Sequence, residues 1–197
     1  MTTIAFIRHG VTDWNLERRA QGQSDVPLNE EGMLQAKALG RRFSGEKWDA
    51  IYTSDLSRAK TTAEAVAEVL DIQVKPDERL REISFGDMEG TTEEERVAQF
   101  GPGWKDRNLN IEKTDAVIER AGGFIEEIRS KHEGQKVIVV SHGAFLNDMF
   151  VYLLEQRFEK CRLDNTSLSI VEFTDQSCDM KLLNCTNHLS FIEGRDE

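Results

Sequence analysis

The chain has 197 residues, about one domain's worth and enough to bury a sizeable core. Lysine and arginine number 25 against 36 aspartates and glutamates, and the formal net charge of −11 argues against general binding to nucleic acid or to an anionic membrane. No apolar run approaches the ~18 residues of a span, no leader pattern is visible, and the three cysteines lack CxxC spacing, so a reduced, cytoplasmic protein is expected.

In chain order, Ile4-Ala5-Phe6-Ile7 reads as a short buried strand that runs straight into Arg8-His9-Gly10. Residues 11–29 form a polar loop holding Trp14, Asn15, Gln21 and Gly22, and long loops are often functional. Asn29 has the character of a helix N-cap, with Glu30 and Glu31 in the first turn and Leu34, Ala38, Leu39 and Phe43 as the apolar stripe. A second strand is expected at 48–53. Ser54 or Asp55 then caps a helix to about Leu70, with Ala59, Ala63, Val66 and Ala67 on one face. A short strand is expected at 72–74.

Residues 79–90 have no clear period and suit an ordered loop. Thr91 or Thr92 opens a short helix that Gly101-Pro102-Gly103 breaks. A polar, irregular stretch leads to a long helix at 114–132, weakened as a reading by Gly122-Gly123. Val137-Ile138-Val139-Val140 is another buried strand, and it ends at Ser141-His142-Gly143. A helix at 144–154 and strands at 167–173 and 180–183 complete the chain. The last two strands are close enough to pair as a hairpin, which would make the sheet mixed. Strands alternating with helices argue for an α/β fold, a mostly parallel sheet with helices on both faces, in one domain spanning 1–197.

The chain has four histidines, and two of them, His9 and His142, end a buried strand just before a glycine. For one such strand end, a satisfied structural histidine is an equally good reading. Two of them, one beside an arginine, favour a shared site. In a parallel sheet the carboxyl ends share an edge, where open α/β sheets bind ligands. Arg8, His9, Arg58 and His142 would meet there. Arg58 alone reads more readily as a solvated helix face, but in the first helical turn it adds backbone N–H groups to an anion pocket. Guanidiniums and imidazoles in this setting suit a phosphate.

Neighbouring arginines disfavour imidazolium, which leaves a histidine nitrogen free to attack phosphorus. Glu82, near Phe85 and Met88, is the candidate proton donor for the leaving alkoxide, although by itself it reads more often as one surface carboxylate among many. His132-Glu133-Gly134 is not HExxH and no His/Cys cluster has zinc spacing, so no metal is expected. No P-loop, dinucleotide fingerprint or G-x-S-x-G elbow is present, so no cofactor is expected either. Trp14, Trp104, Phe85 and Phe100 are candidate pocket walls, though such aromatics are more often core.

At these residues the sequence resembles the histidine phosphatase superfamily, which includes the cofactor-dependent phosphoglycerate mutases. The resemblance rests on Arg8-His9-Gly10 with Thr12 and Trp14-Asn15, on Leu28-Asn29-Glu30-Glu31-Gly32, and on Thr53-Ser54-Asp55-Leu56-Ser57-Arg58-Ala59. Leu80-Arg81-Glu82 with Gly86 and Glu89-Gly90, and Ser141-His142-Gly143, complete it. It implies a three-layer α/β/α sandwich in which His9 is phosphorylated. Arg8, Arg58 and His142 would bind the phosphoryl group, with Glu82 as proton donor. Asn15, Gln21, Gly22 and Gly143 would contact a small phosphorylated substrate, without a metal.

Two departures weigh against mutase activity. The interval from Glu82 to His142 is short for a mutase. The usual Gly-Glu-Ser before the long helix is replaced by Glu112-Lys113-Thr114-Asp115. The pattern is most similar to bacterial phosphatases of broad specificity, as is the ending Asn187-His188-Leu189. Ile192-Glu193-Gly194-Arg195 reads like a protease tag site and is taken as native. A phosphoglycerate mutase and a non-catalytic phosphate-binding protein stand as alternatives, and these motifs set neither the natural substrate nor the oligomeric state.

Overall fold

The computed structural model describes residues 1–174 and 177–190, so the stretch at 192–195 lies outside the described residues. The chain opens with β1 (Thr2–Arg8), a one-turn α1 (Asp13–Leu16), α2 (Glu30–Arg42), β2 (Ala50–Thr53), α3 (Ser57–Leu70) and β3 (Val74–Pro76). It continues through α4 (Glu93–Phe100), α5 (Thr114–Lys131), β4 (Lys136–Ser141), α6 (Gly143–Leu154), β5 (Leu168–Phe173) and β6 (Cys178–Cys185). The six strands form one mixed sheet in the order β3-β2-β4-β1-β5-β6. The first four of these run parallel, and β5 and β6 add antiparallel at the β1 side as a hairpin.

Alternation along the central strands makes the layers. Ile4, Phe6, Val137 and Val139 pack with Phe124, Ile128, Phe145 and Phe150 of α5 and α6. Ala5, Ile7, Ile51, Ile138 and Val140 face the other way, onto Leu39, Ala59, Ala63 and Val66 of α2 and α3. The result is a three-layer α/β/α sandwich. None of its described helices is long and apolar enough to cross a membrane.

Several boundaries differ from the sequence expectation for identifiable reasons. The strand expected at 48–53 begins at Ala50, because Trp48 turns its ring edge-on to Phe43 at 5.5 Å. Asp49 instead ties the strand start to Lys136, its carboxylate accepting the Lys136 N–H at 2.7 Å. α3 is not capped by Ser54 or Asp55. Leu56 holds the N-cap position without a side-chain bond, and the Asp25 carboxylate accepts the Ser57 N–H at 2.8 Å from the earlier loop. The strand expected at 72–74 starts at Val74, since the last turn of α3 runs on, with Asp71 in the left-handed region and the Ile72 N–H bonded to Ala67. α5 passes through Gly122-Gly123 unbroken, and Gly122 lets Tyr152 of α6 approach to where a Cβ would sit 3.2 Å from its hydroxyl. β6 is longer than expected, because pairing with β5 extends to Cys185.

β1 and β4 are neighbours in the sheet, yet the chain leaves β1 for the α2/α3 face and leaves β4 for the α5/α6 face. A crevice opens at such a switch point, beyond the carboxyl ends of the two strands. The residues that follow those ends are His9 and His142.

Candidate active site

His9 is buried beyond β1, and its Nδ1 lies 2.7 Å from the Gly10 carbonyl oxygen. A carbonyl only accepts, so the proton is on Nδ1 and Nε2 keeps its lone pair. Burial, then Arg8 and Arg58, hold the imidazole well below its ordinary 6.5. The ring of His142 stands 5.1 Å away, tilted by 57°. It is fully buried, and burial with Arg58 beside it keeps it neutral as well.

Arg8, the last residue of β1, is anchored by donating to the Leu163 carbonyl at 2.6 Å. Its guanidinium lies over Gly143, where a Cβ would sit only 3.2 Å from Nε. Arg58 is fully buried in the first turn of α3. It donates to the carbonyls of Ser24 and Gly22, each at 2.7 Å. Burial pulls it down to about 10, still a cation at neutral pH. Arg8 Nε, Arg58 Nε, both ring nitrogens of His142 and Oε1 of Gln21 are buried with no partner among the described residues, as are Ser57 Oγ and Arg96 Nε elsewhere. Buried polar atoms are normally satisfied. Of these residues, Arg8, Arg58 and His142 are near enough to act on one another's charge, and the free atoms they present are ones a polar ligand could satisfy.

Glu82 belongs to the same group. Its carboxylate sits on the N-terminus of α6, accepting the N–H groups of Phe145 at 2.7 Å and Ala144 at 3.1 Å, and that of Ile83 at 3.0 Å. These bonds favour the charged form, but burial outweighs them and lifts the carboxyl above its usual 4.5. Gly143 is the first residue of α6. Asn15 is half-buried and completes a capping box with Thr12, and its Oδ1 also accepts from Asn165 at 3.2 Å. A cleft of about 710 Å³ runs along Arg8 and Asn15, flanked by Arg18, Arg162 and Asn165.

Gly22 has φ +54, and a Cβ there would meet the Glu89 carboxylate at 2.1 Å. That carboxylate shapes the 22–24 loop by accepting the N–H groups of Gln23 and Ser24 at 3.0 and 2.9 Å. The aromatic candidates are all half-buried. Phe85 packs on the core, and Trp104 is engaged by Arg96 and Lys105.

The sequence reading passed over Glu89 as an organiser of the 22–24 loop, and over Asn165, which donates to the His9 carbonyl at 3.0 Å. It also missed Arg120, whose guanidinium grips the Glu82 loop. A lone arginine at the edge of the Val117–Ala121 apolar stripe was the only local sign of it. Among the described residues no group of three or more His, Cys, Asp or Glu is placed to hold a metal ion.

The model of the histidine phosphatase superfamily, branch 1, matches residues 4–186. An uncharacterized phosphatase of Bacillus subtilis (strain 168), PhoE, is 34% identical over 96% of this chain and 98% of its own. A metal-independent phosphoserine phosphatase of Arabidopsis thaliana is 33% identical over 98% of this chain and 85% of its own. The solved structure of Bacillus stearothermophilus YhfR superposes with a TM-score of 0.87 at 33% identity, covering 96% of this chain and all of that one. With this match across nearly its whole length, the sandwich carrying Arg8-His9-Gly10 and Ser141-His142-Gly143 belongs to the histidine phosphatase superfamily.

Proposed function

We propose that the protein is a metal-independent phosphomonoesterase that works through a phosphohistidine on His9, with the whole chain acting as one catalytic domain in a reducing, cytoplasmic setting. His9 Nε2 attacks the phosphorus of a small phosphate ester. The bond to the leaving alkoxide breaks, and the Glu82 carboxyl gives that oxygen its proton. Water then attacks the phosphohistidine, the Glu82 carboxylate takes the water's proton, and phosphate leaves. Arg8, Arg58 and His142 hold the equatorial oxygens as charge spreads over them. Gly143, Asn15, Gln21 and Gly22 line the substrate's approach.

One observation carries this reading: the unpartnered, buried nitrogens of Arg8, Arg58 and His142 sit with a histidine whose tautomer leaves Nε2 free. The pairing of a lowered imidazole with a raised carboxyl supports the split into nucleophile and acid. The free thiols of Cys161, Cys178 and Cys185 agree with a reducing compartment. The Arabidopsis relative makes phosphoserine the first ester to try.

The test is a screen of phosphate esters with wild type and His9→Ala side by side, before and after a chelator and desalting. Turnover by wild type, loss of at least about 10³-fold in His9→Ala, and an unchanged wild-type rate after chelation are expected. Full activity in His9→Ala would discard the phosphohistidine route. Loss on chelation would discard metal independence.

A further inference from the structure

Arg120 lies in α5 and donates no hydrogen bond to either imidazole, its charge being the last of the causes that hold His142 down. Its guanidinium is spent on the loop that carries Glu82. Nη1 donates to the carbonyls of Arg79 and Arg81, each at 2.7 Å, and Nη2 donates to the carbonyl of Glu82 at 3.2 Å. Nε and Nη2 also form a two-pronged pair with the Glu112 carboxylate, at 2.8 and 3.1 Å. Glu112 in turn accepts the Ser84 N–H at 3.1 Å and donates its own N–H to the Ser84 carbonyl at 2.9 Å. The guanidinium carbon lies over the ring of Phe145, 4.5 Å from its centre, and Phe145 is the residue whose N–H donates to the Glu82 carboxylate.

This is more than a surface ion pair. Both side chains are mostly buried, at 16% and 17% exposure. Beyond the pair itself, the hydrogen bonds fall on the loop from Arg79 to Ser84, and the ring contact falls on the helix turn that holds the carboxylate. The planar fork suits several carbonyls at once, which a lysine's single ammonium does not. The Glu82 carboxyl is balanced between burial, which protonates it, and three N–H groups, which ionise it. A small displacement changes both the balance and the reach to a leaving oxygen.

We infer that Arg120, locked by Glu112, is a positioning residue for the proton donor and sets where the Glu82 carboxyl stands relative to the leaving group. The inference rests on the phosphatase reading above. It makes Arg120 matter in proportion to the leaving group's need for a proton. An alkoxide such as that of phosphoserine needs one, whereas a dinitrophenolate departs without it.

The experiment measures kcat/KM for phosphoserine and for 2,4-dinitrophenyl phosphate in wild type, Arg120→Lys and Glu112→Gln, each also in a Glu82→Gln background. This ratio covers events up to phosphoryl transfer to His9, so the later water step does not enter. Arg120→Lys is expected to lower the value for phosphoserine on the order of 30-fold and that for the dinitrophenyl ester by less than about threefold. Glu112→Gln should show the same split more weakly, and neither should have a further effect once Glu82→Gln is present. Equal losses on both esters, or losses that persist undiminished in Glu82→Gln, overturn the inference and leave the phosphatase reading standing. A wild type that turns over neither ester overturns both.

Discussion

The ring of His142 stands 5.1 Å from that of His9, and neither of its nitrogens meets a partner among the described residues. On the function proposed above, two neutral imidazoles with two guanidiniums beside them form a hollow for an anion. A ligand that binds this folded arrangement and not the unfolded chain must raise stability by mass action.

Inorganic phosphate should therefore raise the melting temperature. At about 100 times its Kd the gain is about 2.7 kcal/mol, and each kcal/mol is worth roughly 2–4 °C for a chain of this size. Arg58→Met should abolish most of that shift, since it removes a cation that donates to the Ser24 and Gly22 carbonyls and still has Nε to spare. Differential scanning fluorimetry with and without phosphate checks it. An equal shift in wild type and Arg58→Met would place the anion elsewhere.

The pH dependence follows from two opposite shifts. Burial and the arginines hold His9 below 6.5, and burial lifts Glu82 above 4.5. Attack needs the imidazole neutral, so kcat/KM rises as pH rises through the His9 value. Donation needs the carboxyl protonated, so kcat/KM for an alkyl phosphate falls as pH rises through the Glu82 value. The profile is a bell displaced to the acid side, with the falling limb above pH 4.5. Glu82→Gln should remove the falling limb and lower the plateau. A falling limb unchanged in that variant belongs to another group.

Gly122 and Gly123 are adjacent in α5 but have different surroundings. A Cβ on Gly123 meets nothing within 4 Å, whereas one on Gly122 meets the Tyr152 hydroxyl at 3.2 Å. Gly123→Ala should add about 1 kcal/mol by helix propensity alone. Gly122→Ala should lose that gain to crowding. Chemical denaturation of the two variants separates them, and kcat/KM should match wild type in Gly123→Ala.

Local signals were readable where a residue acts on its own neighbours. Asn29 with two glutamates after it is a helix start in the sequence and in the structure, its Oδ1 accepting the Gly32 N–H at 2.9 Å. Thr92 with Glu95 is another, a full capping box. The start of α3 was misread because its cap, Asp25, arrives from a separate loop. The seat of Glu82 on the N-terminus of α6 was hidden for the same reason: its partners are Ala144 and Phe145, on the far side of α4, α5 and β4. The alternation of β1 and β4 gave the two apolar faces. Beyond a lone arginine at the edge of an apolar stripe, nothing in the sequence pointed to Arg120 turning its fork onto three carbonyls of the Glu82 loop.

β4 occupies the slot between β1 and β2, pairing with each along its length. Both flanking strands leave the ribosome well before it. A nascent chain that has emerged only as far as α5 lacks the strand that joins β1 to β2, and bringing β4 between them demands a long-range closure, the slow kind of step in folding. His142, which follows β4, comes into place only with that strand. Turnover is therefore a reporter of finished assembly, silent in any fragment that stops short of the keystone ribbon.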